Sequence, residues 1–82
     1  KLAVCSGSAG APAIEEAIAL GCDAFVTGEI KEAVPIACEE MGFNLLSCGH
    51  HRTEIFGVRA LAAKIQTELG IPASFVDIDN DV

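Results

Sequence analysis

Basic residues are scarce in this chain. Lys and Arg total 5 against 12 Asp and Glu, for a net charge of −7. The five (Lys1, Lys31, Arg52, Arg59 and Lys64) are scattered, so no stripe of positive charge can track a phosphate backbone and nucleic acid is not expected as a direct partner. Long apolar runs are missing as well: none approaches the roughly 20 residues that span a bilayer, and no charged leader precedes an apolar signal core. These absences predict a cytoplasmic protein without a membrane partner. Low-complexity sequence is also absent, and 82 residues with 51% apolar content describe a single α/β-sized globular domain, residues 1–82. A chain of this length buries only about two-thirds of its unfolded surface, so an apolar face covered by a partner, and hence a homo-oligomer, is expected.

The four cysteines, Cys5, Cys22, Cys38 and Cys48, contain no C-x-x-C pair, which removes the zinc-finger spacing and leaves no recognisable disulfide framework. Each has apolar neighbours and reads as a buried free thiol, with Cys48 set apart only because a polar cluster follows it. Phosphate-binding signatures are missing too, since there is neither G-x-G-x-x-G nor a P-loop lysine-serine pair. The loop "SGSAG" (6 to 10) therefore reads as a tight strand-to-helix turn, with anion binding by its backbone N–H groups as the alternative.

What is present is an alternating rhythm. "KLAVCS", "DAFVTG", "FNLLSCG" and "ASFVDID" are short, nearly continuous apolar runs bounded by Gly, Asp or Pro, as expected of strands buried on both faces. Three helical segments separate them, predicting the order β-α-β-α-β-α-β and a mostly parallel four-stranded sheet with right-handed crossovers. The first helix is expected from Pro12 to Gly21, packing Ile14, Ala17, Ile18 and Leu20 inward. The second spans about Lys31 to Met41, with Pro35 imposing a kink or a late start. In the third, Ile55, Val58, Ala62, Ile65 and Leu69 recur at spacings of three and four and predict a core-facing stripe that ends at Gly70 and Pro72. Gly57 within it suggests that a backbone or ligand needs the space of its missing side chain.

Polarity concentrates at the predicted carboxyl ends of the strands, where ligands gather in parallel α/β sheets. In "TGEIK" (27 to 31), Glu29 can cap the next helix, orient a histidine as a hydrogen-bond acceptor, or act as a base. In "GHHRTE" (49 to 54), His50 and Glu54 are four apart and project from one side of a beginning helix, within reach of one divalent ion. Imidazole nitrogen and carboxylate oxygen suit Zn²⁺, Fe²⁺ or Mn²⁺. The bland alternative is that Glu54 stabilises the helix N-terminus while His50 and His51 are turn residues. Two ligands make no complete site, so the remainder must come from elsewhere. Asp77, Asp79 and Asp81 in "DIDNDV" lack the glycine and glutamate of a calcium loop and read as a solvated strand end.

Taken in order, "VCSGSAG", "DAFVTGEI", "GHHRTE" and "FVDIDN" resemble the C-terminal part of the GTP cyclohydrolase type 2 family, also called Nif-three-like proteins. The resemblance covers essentially the whole chain, and its most specific elements are "TGE" and the Gly-His-x-x-Thr-Glu pattern. It implies a duplicated α/β protein whose two halves interlock and assemble into a ring-shaped hexamer around a dinuclear metal site. The residues matching His50 and Glu54 are ligands there, while a His-His pair and an aspartate come from the N-terminal half, which would be this chain's first partner. With no initiator Met, the chain is expected to be a fragment, excised domain or processed piece. Residues Ile30 to Ala33 after "TGE", and Asp79 and Asp81 in the tail, depart from the family pattern and offer no further ligand or proline. Two functions follow: a metal-dependent hydrolase of a small-molecule or nucleotide-like substrate, with Glu29 as its orienting or proton-shuttling residue; or a non-catalytic binding or scaffold module whose polar loop holds a structural ion or lines an assembly interface.

Overall fold

A computed structural model describes all residues, 1–82. Three strands, β1 (Leu2–Ser8), β2 (Ala24–Glu29) and β3 (Asn44–Ser47), alternate with three helices, α1 (Ala11–Ala19), α2 (Ala33–Glu40) and α3 (His50–Leu69). The sheet is parallel in the order β1-β2-β3, with Val4 opposite Val26 and Val26 opposite Leu46. The expected α/β class with a parallel sheet is present, but the sheet is three-stranded rather than four-stranded. "ASFVDID" lies beyond α3 in no strand or helix. Its alternating pattern is satisfied instead along α3: Ala73 and Phe75 are half-buried, the Gln66 side chain donates to the Ala73 carbonyl, and the Arg59 guanidinium sits 5.1 Å from the centroid of the Phe75 ring.

Connectivity decides where the core sits. Two successive right-handed crossovers that step the same way across a sheet put both helices on one face. Ile14 and Ala17 of α1, Val34 and Cys38 of α2, Phe25 of β2 and Ala9 accordingly form one buried cluster. The opposite face is open over the first half of the strands, where Leu2 is 57% and Val4 71% exposed, and only α3 covers the ends of β1 and β2 there. The expectation that the strands are buried on both faces is therefore corrected, because all the covering helices of the crossovers lie on one side.

The helix ends follow local chemistry. α1 starts at Ala11, one residue before Pro12, and Leu20 lies outside it and is exposed. α2 takes the late start that Pro35 demands, placing the proline in the first turn where its missing N–H has no intrahelical partner to lose. Both helices close with the same Schellman turn: Cys22 N–H donates to Ala17 O (3.0 Å) and Phe43 N–H to Cys38 O (2.8 Å), with left-handed Gly21 and Gly42 at the corner. These turns deliver the chain into β2 and β3.

α3 packs on β1 and β2, and only Ile55 of its stripe is buried. Val58 is 50% and Leu69 66% exposed, so the stripe is not core within this chain. The reason is reach: 20 helical residues extend about 30 Å, well past a sheet whose strands have at most 7 residues. Nothing lies against Gly57 within 4 Å, which removes the expected close neighbour. Thr27 of β2 is fully buried and its hydroxyl has no partner. An unpaired buried hydroxyl costs about 1–3 kcal/mol, so Thr27→Val should raise the urea midpoint, corresponding to a gain of about 1 kcal/mol.

Candidate metal site

The carboxyl ends of β1 and β2 and the start of α3 meet through backbone groups. After β3, Cys48 N–H donates to Thr27 O (2.8 Å) and Gly49 N–H to Gly28 O (2.9 Å), which pins the chain against β2 as α3 begins. Gly7 N–H of β1 donates to Thr53 Oγ1 at 2.9 Å, and that hydroxyl in turn faces Gly49 O at 2.9 Å and His50 O at 3.0 Å. The register of β1 against β2 slips between Cys5 and Ser8, and this irregularity turns Gly7 toward α3. The "SGSAG" loop thus serves as a packing turn at Gly7, whose amide is committed to Thr53.

His50 and Glu54 sit one turn apart on α3 and border a cleft of about 370 Å³ with Glu29, His51, Asn80 and Val82. His50 Nδ1 is 2.9 Å from Glu29 Oε2, and His50 Nε2 is 3.5 Å from Glu54 Oε1. The structure therefore brings together all three residues expected from the sequence. A side chain at Gly7 would intrude on them: its Cβ would lie 2.5 Å from Glu54 Oε1 and 3.4 Å from His50 Nε2.

The Glu29 hydrogen bond raises the His50 pKa above 6.5, with the Glu54 and Glu29 charges adding to it and partial desolvation opposing. A raised histidine favours the folded state while protonated, so this contribution is full below the unfolded value and is lost as pH rises through the folded one. NMR titration should place the His50 imidazole above 6.5, and Glu29→Gln should move it down. A metal must displace the same proton, so divalent-ion affinity should climb over that pH window.

The two adjacent histidines point to different partners. His51 Nε2 is 2.9 Å from Asp77 Oδ1, and His51 N–H donates to Val82 O. Arg52 donates to Asp79 Oδ1 at 2.8 Å. The aspartates are thus not merely a solvated strand end, because Asp77 and Asp79 strap the tail beside α3 and put Asn80 and Val82 at the rim of the cleft. The His51 hydrogen bond, assisted by the charges of His51, Arg52 and Arg59, holds the Asp77 carboxyl below 3.8. The stabilisation from that carboxylate is present above its unfolded value and is lost as pH falls through the folded one. All four cysteines are free, but of the expected buried thiols only Cys38 is buried; Cys5 and Cys22 are half-buried and Cys48 is exposed. Thr53, Asn80 and Val82 were not legible as site residues; only the place of Thr53 one position before Glu54 hinted at its role.

Nowhere do three or more His, Cys, Asp or Glu side chains converge to hold a metal ion. Glu29 borders the cleft but is engaged with His50 Nδ1, so the donor pair not so engaged is His50 Nε2 and Glu54 Oε1. Their 3.5 Å gap exceeds the length of a charge-assisted hydrogen bond, about 2.7–2.9 Å. It matches the separation of about 3.4 Å between two donors that share an ion at about 2.1 Å in tetrahedral geometry. The donor set fits a divalent ion.

Comparison with known proteins agrees with these motifs. The model of the family Duf34/NIF3 (NGG1p interacting factor 3) matches residues 1–81. The chain belongs to this family. Among the curated Duf34/NIF3 relatives are proteins named GTP cyclohydrolase 1 type 2 homolog. The one from Haemophilus influenzae is 41% identical over 80 residues, which cover 98% of this chain and 32% of the relative. That from Deinococcus radiodurans is 48% identical over 77 residues, covering 94% and 29%, and that from Vibrio cholerae is 40% identical over 78, covering 95% and 31%. The chain thus spans about a third of the length of these relatives. No solved structure matches it. No helix is long and apolar enough to cross a membrane.

Proposed function

We propose that this Duf34/NIF3 chain contributes His50 and Glu54 as ligands to a dinuclear divalent metal site, completed by the N-terminal half of a duplicated protein, in a metal-dependent hydrolase. One observation carries the reading: an imidazole nitrogen and a carboxylate oxygen form an i,i+4 ion pair at the same cleft, 3.5 Å apart, a separation that two donors sharing one cation would also have. Zn²⁺, Fe²⁺ or Mn²⁺ suits that donor pair. Such an ion, when bound, lowers the pKa of a water and polarises a substrate oxygen.

The chain's own residues prepare the site. Glu29 accepts the Nδ1 proton of neutral His50, which fixes the tautomer and presents the Nε2 lone pair to the cleft. The Glu29 carboxylate is half-exposed, and the same group can pass a proton to the cleft. The substrate class is a small or nucleotide-like molecule; the relatives' name makes GTP ring opening the boldest choice, tested by turnover with metal-replete protein. The four free thiols suit a reducing cytoplasm, and the open sheet face suits a homo-oligomer such as a hexamer.

That same open face, with Leu2, Val4 and Leu46 exposed, supports the second reading, a non-catalytic assembly module. Metal content by mass spectrometry and hydrolytic turnover of the complete protein, beside His50→Ala and Glu54→Ala, separate the two: turnover that vanishes in His50→Ala while assembly persists removes the non-catalytic reading. Metal lost from the variants while assembly persists supports the site; unchanged metal content removes the ligand assignment.

A further inference from the structure

We infer that Thr53 is a positioning residue for the ligand pair: its hydroxyl locks the first turn of α3 to the end of β1 and thereby sets the gap between His50 Nε2 and Glu54 Oε1. This rests on the reading of His50 and Glu54 as ligands.

The hydroxyl works in two directions. It accepts the Gly7 N–H, 46 residues away in sequence, at 2.9 Å, and donates to the carbonyls of Gly49 or His50 within its own helix. A hydroxyl has one donor and two acceptor sites, so it can make both bonds at once, which no apolar isostere can do. Two glycines supply the clearance. At Gly28 a Cβ would collide with Gly7 O, with Thr53 Oγ1 at 2.6 Å and with Gly49 O at 2.7 Å, so β2 has no side chain where β1 and α3 close over it. At Gly7 a Cβ would instead meet Glu54 Oε1 and His50 Nε2. The group that anchors Thr53 is thus also the floor beneath both ligands.

The Gly49 to Gly28 bond pins the start of α3 to β2, and the Thr53 hydroxyl ties its first turn to β1. His50 is tied to β2 through Glu29, whereas Glu54 is placed by the helix backbone, the Gly7 surface and its ion pair with His50. The far turns of α3 overhang the sheet and constrain nothing. Loss of the Thr53 bond would let the first turn shift while the Glu29 tether holds His50 back, so the gap itself would change. Outer partners of metal ligands typically govern about 10–100-fold in affinity.

The test is Zn²⁺ affinity of the complete protein by equilibrium dialysis, with the unfolding midpoint measured in parallel, for Thr53→Val, Thr53→Ser, Thr53→Ala and His50→Ala. Thr53→Val should lose at least about tenfold in affinity and Thr53→Ser should restore it. Thr53→Ala is the probe should Thr53→Val fail to fold, because it removes the hydroxyl without setting a methyl against the Gly7 N–H; it too should lose affinity. Wild-type affinity in folded Thr53→Val or Thr53→Ala, with metal lost in His50→Ala, would overturn the positioning role and leave the ligand reading standing. Zn²⁺ retained by His50→Ala would overturn the ligand reading and the positioning role with it.

Discussion

Gly28→Ala is expected to destabilise the fold by about 3 kcal/mol or more, the upper end of what an extra methyl costs in a packed site. The new Cβ would face three oxygens, Gly7 O, Thr53 Oγ1 and Gly49 O, the last two at 2.6 and 2.7 Å. Carbon contacts are favourable only near about 3.5–4.0 Å. None of the three is the mobile end of a long side chain: two are backbone carbonyls, and the third is a hydroxyl bonded to both β1 and α3. Relief would require β1, β2 and α3 to separate, breaking the Gly49 to Gly28 backbone bond and the Gly7 to Thr53 bond. Domains have only about 5–15 kcal/mol of stability, and one with 10 of 82 residues buried has little to spare. Urea unfolding followed by circular dichroism checks the result; a midpoint equal to wild type would show that the three elements do not close over Gly28.

Divalent metal affinity should fall in a graded series. His50→Ala and Glu54→Ala each remove a donor and are expected to lower affinity by more than about 100-fold, since loss of an outer partner alone costs about 10–100-fold. Glu29→Gln belongs to that milder class. Its amide can still meet Nδ1, but it no longer supplies a negative charge to stabilise the donated N–H or raise the basicity of the ring. Affinity of the wild type should rise with pH, because the Glu29 hydrogen bond raises the His50 pKa above 6.5 and the proton competes with the ion. In Glu29→Gln that rise should move to lower pH, even as the affinity at high pH declines. Isothermal titration of the complete protein at several pH values measures both. Equal affinities for wild type and Glu29→Gln at every pH would mean that the 2.9 Å contact with His50 does not tune the site.

Periodicity located the three helices and the first three strands within a few residues, because each alternation of apolar run and amphipathic segment reflects one pass through a layered domain. The Gly-His-x-x-Thr-Glu motif and "TGE" identified the family, and a four-residue spacing placed His50 and Glu54 on one side of a helix. "ASFVDID" failed for a definite reason. Its alternation records which side chains face inward, and that condition is met equally by pairing in a sheet or by lying along α3, where Phe75 packs under Arg59. The stripe on α3 likewise encodes an apolar face without encoding what covers it, so Val58 and Leu69 are exposed in this chain despite their spacing.

The sequence by itself determined the α/β class and the parallel sense of the strands, because these follow from the alternation of short apolar runs with amphipathic segments; its quoted motifs carried the resemblance to the family, and a four-residue spacing made His50 and Glu54 candidates for one side of a helix. The tertiary structure alone decided that Glu29 meets the Nδ1 side of His50, that His51 turns away to Asp77, and that Thr53, Gly7 and Gly28 form one joint from positions 21 to 46 residues apart in the chain. Those facts depend on where three strand ends meet, and distances across loops are set by packing and by the bulge in β1, which no local pattern records.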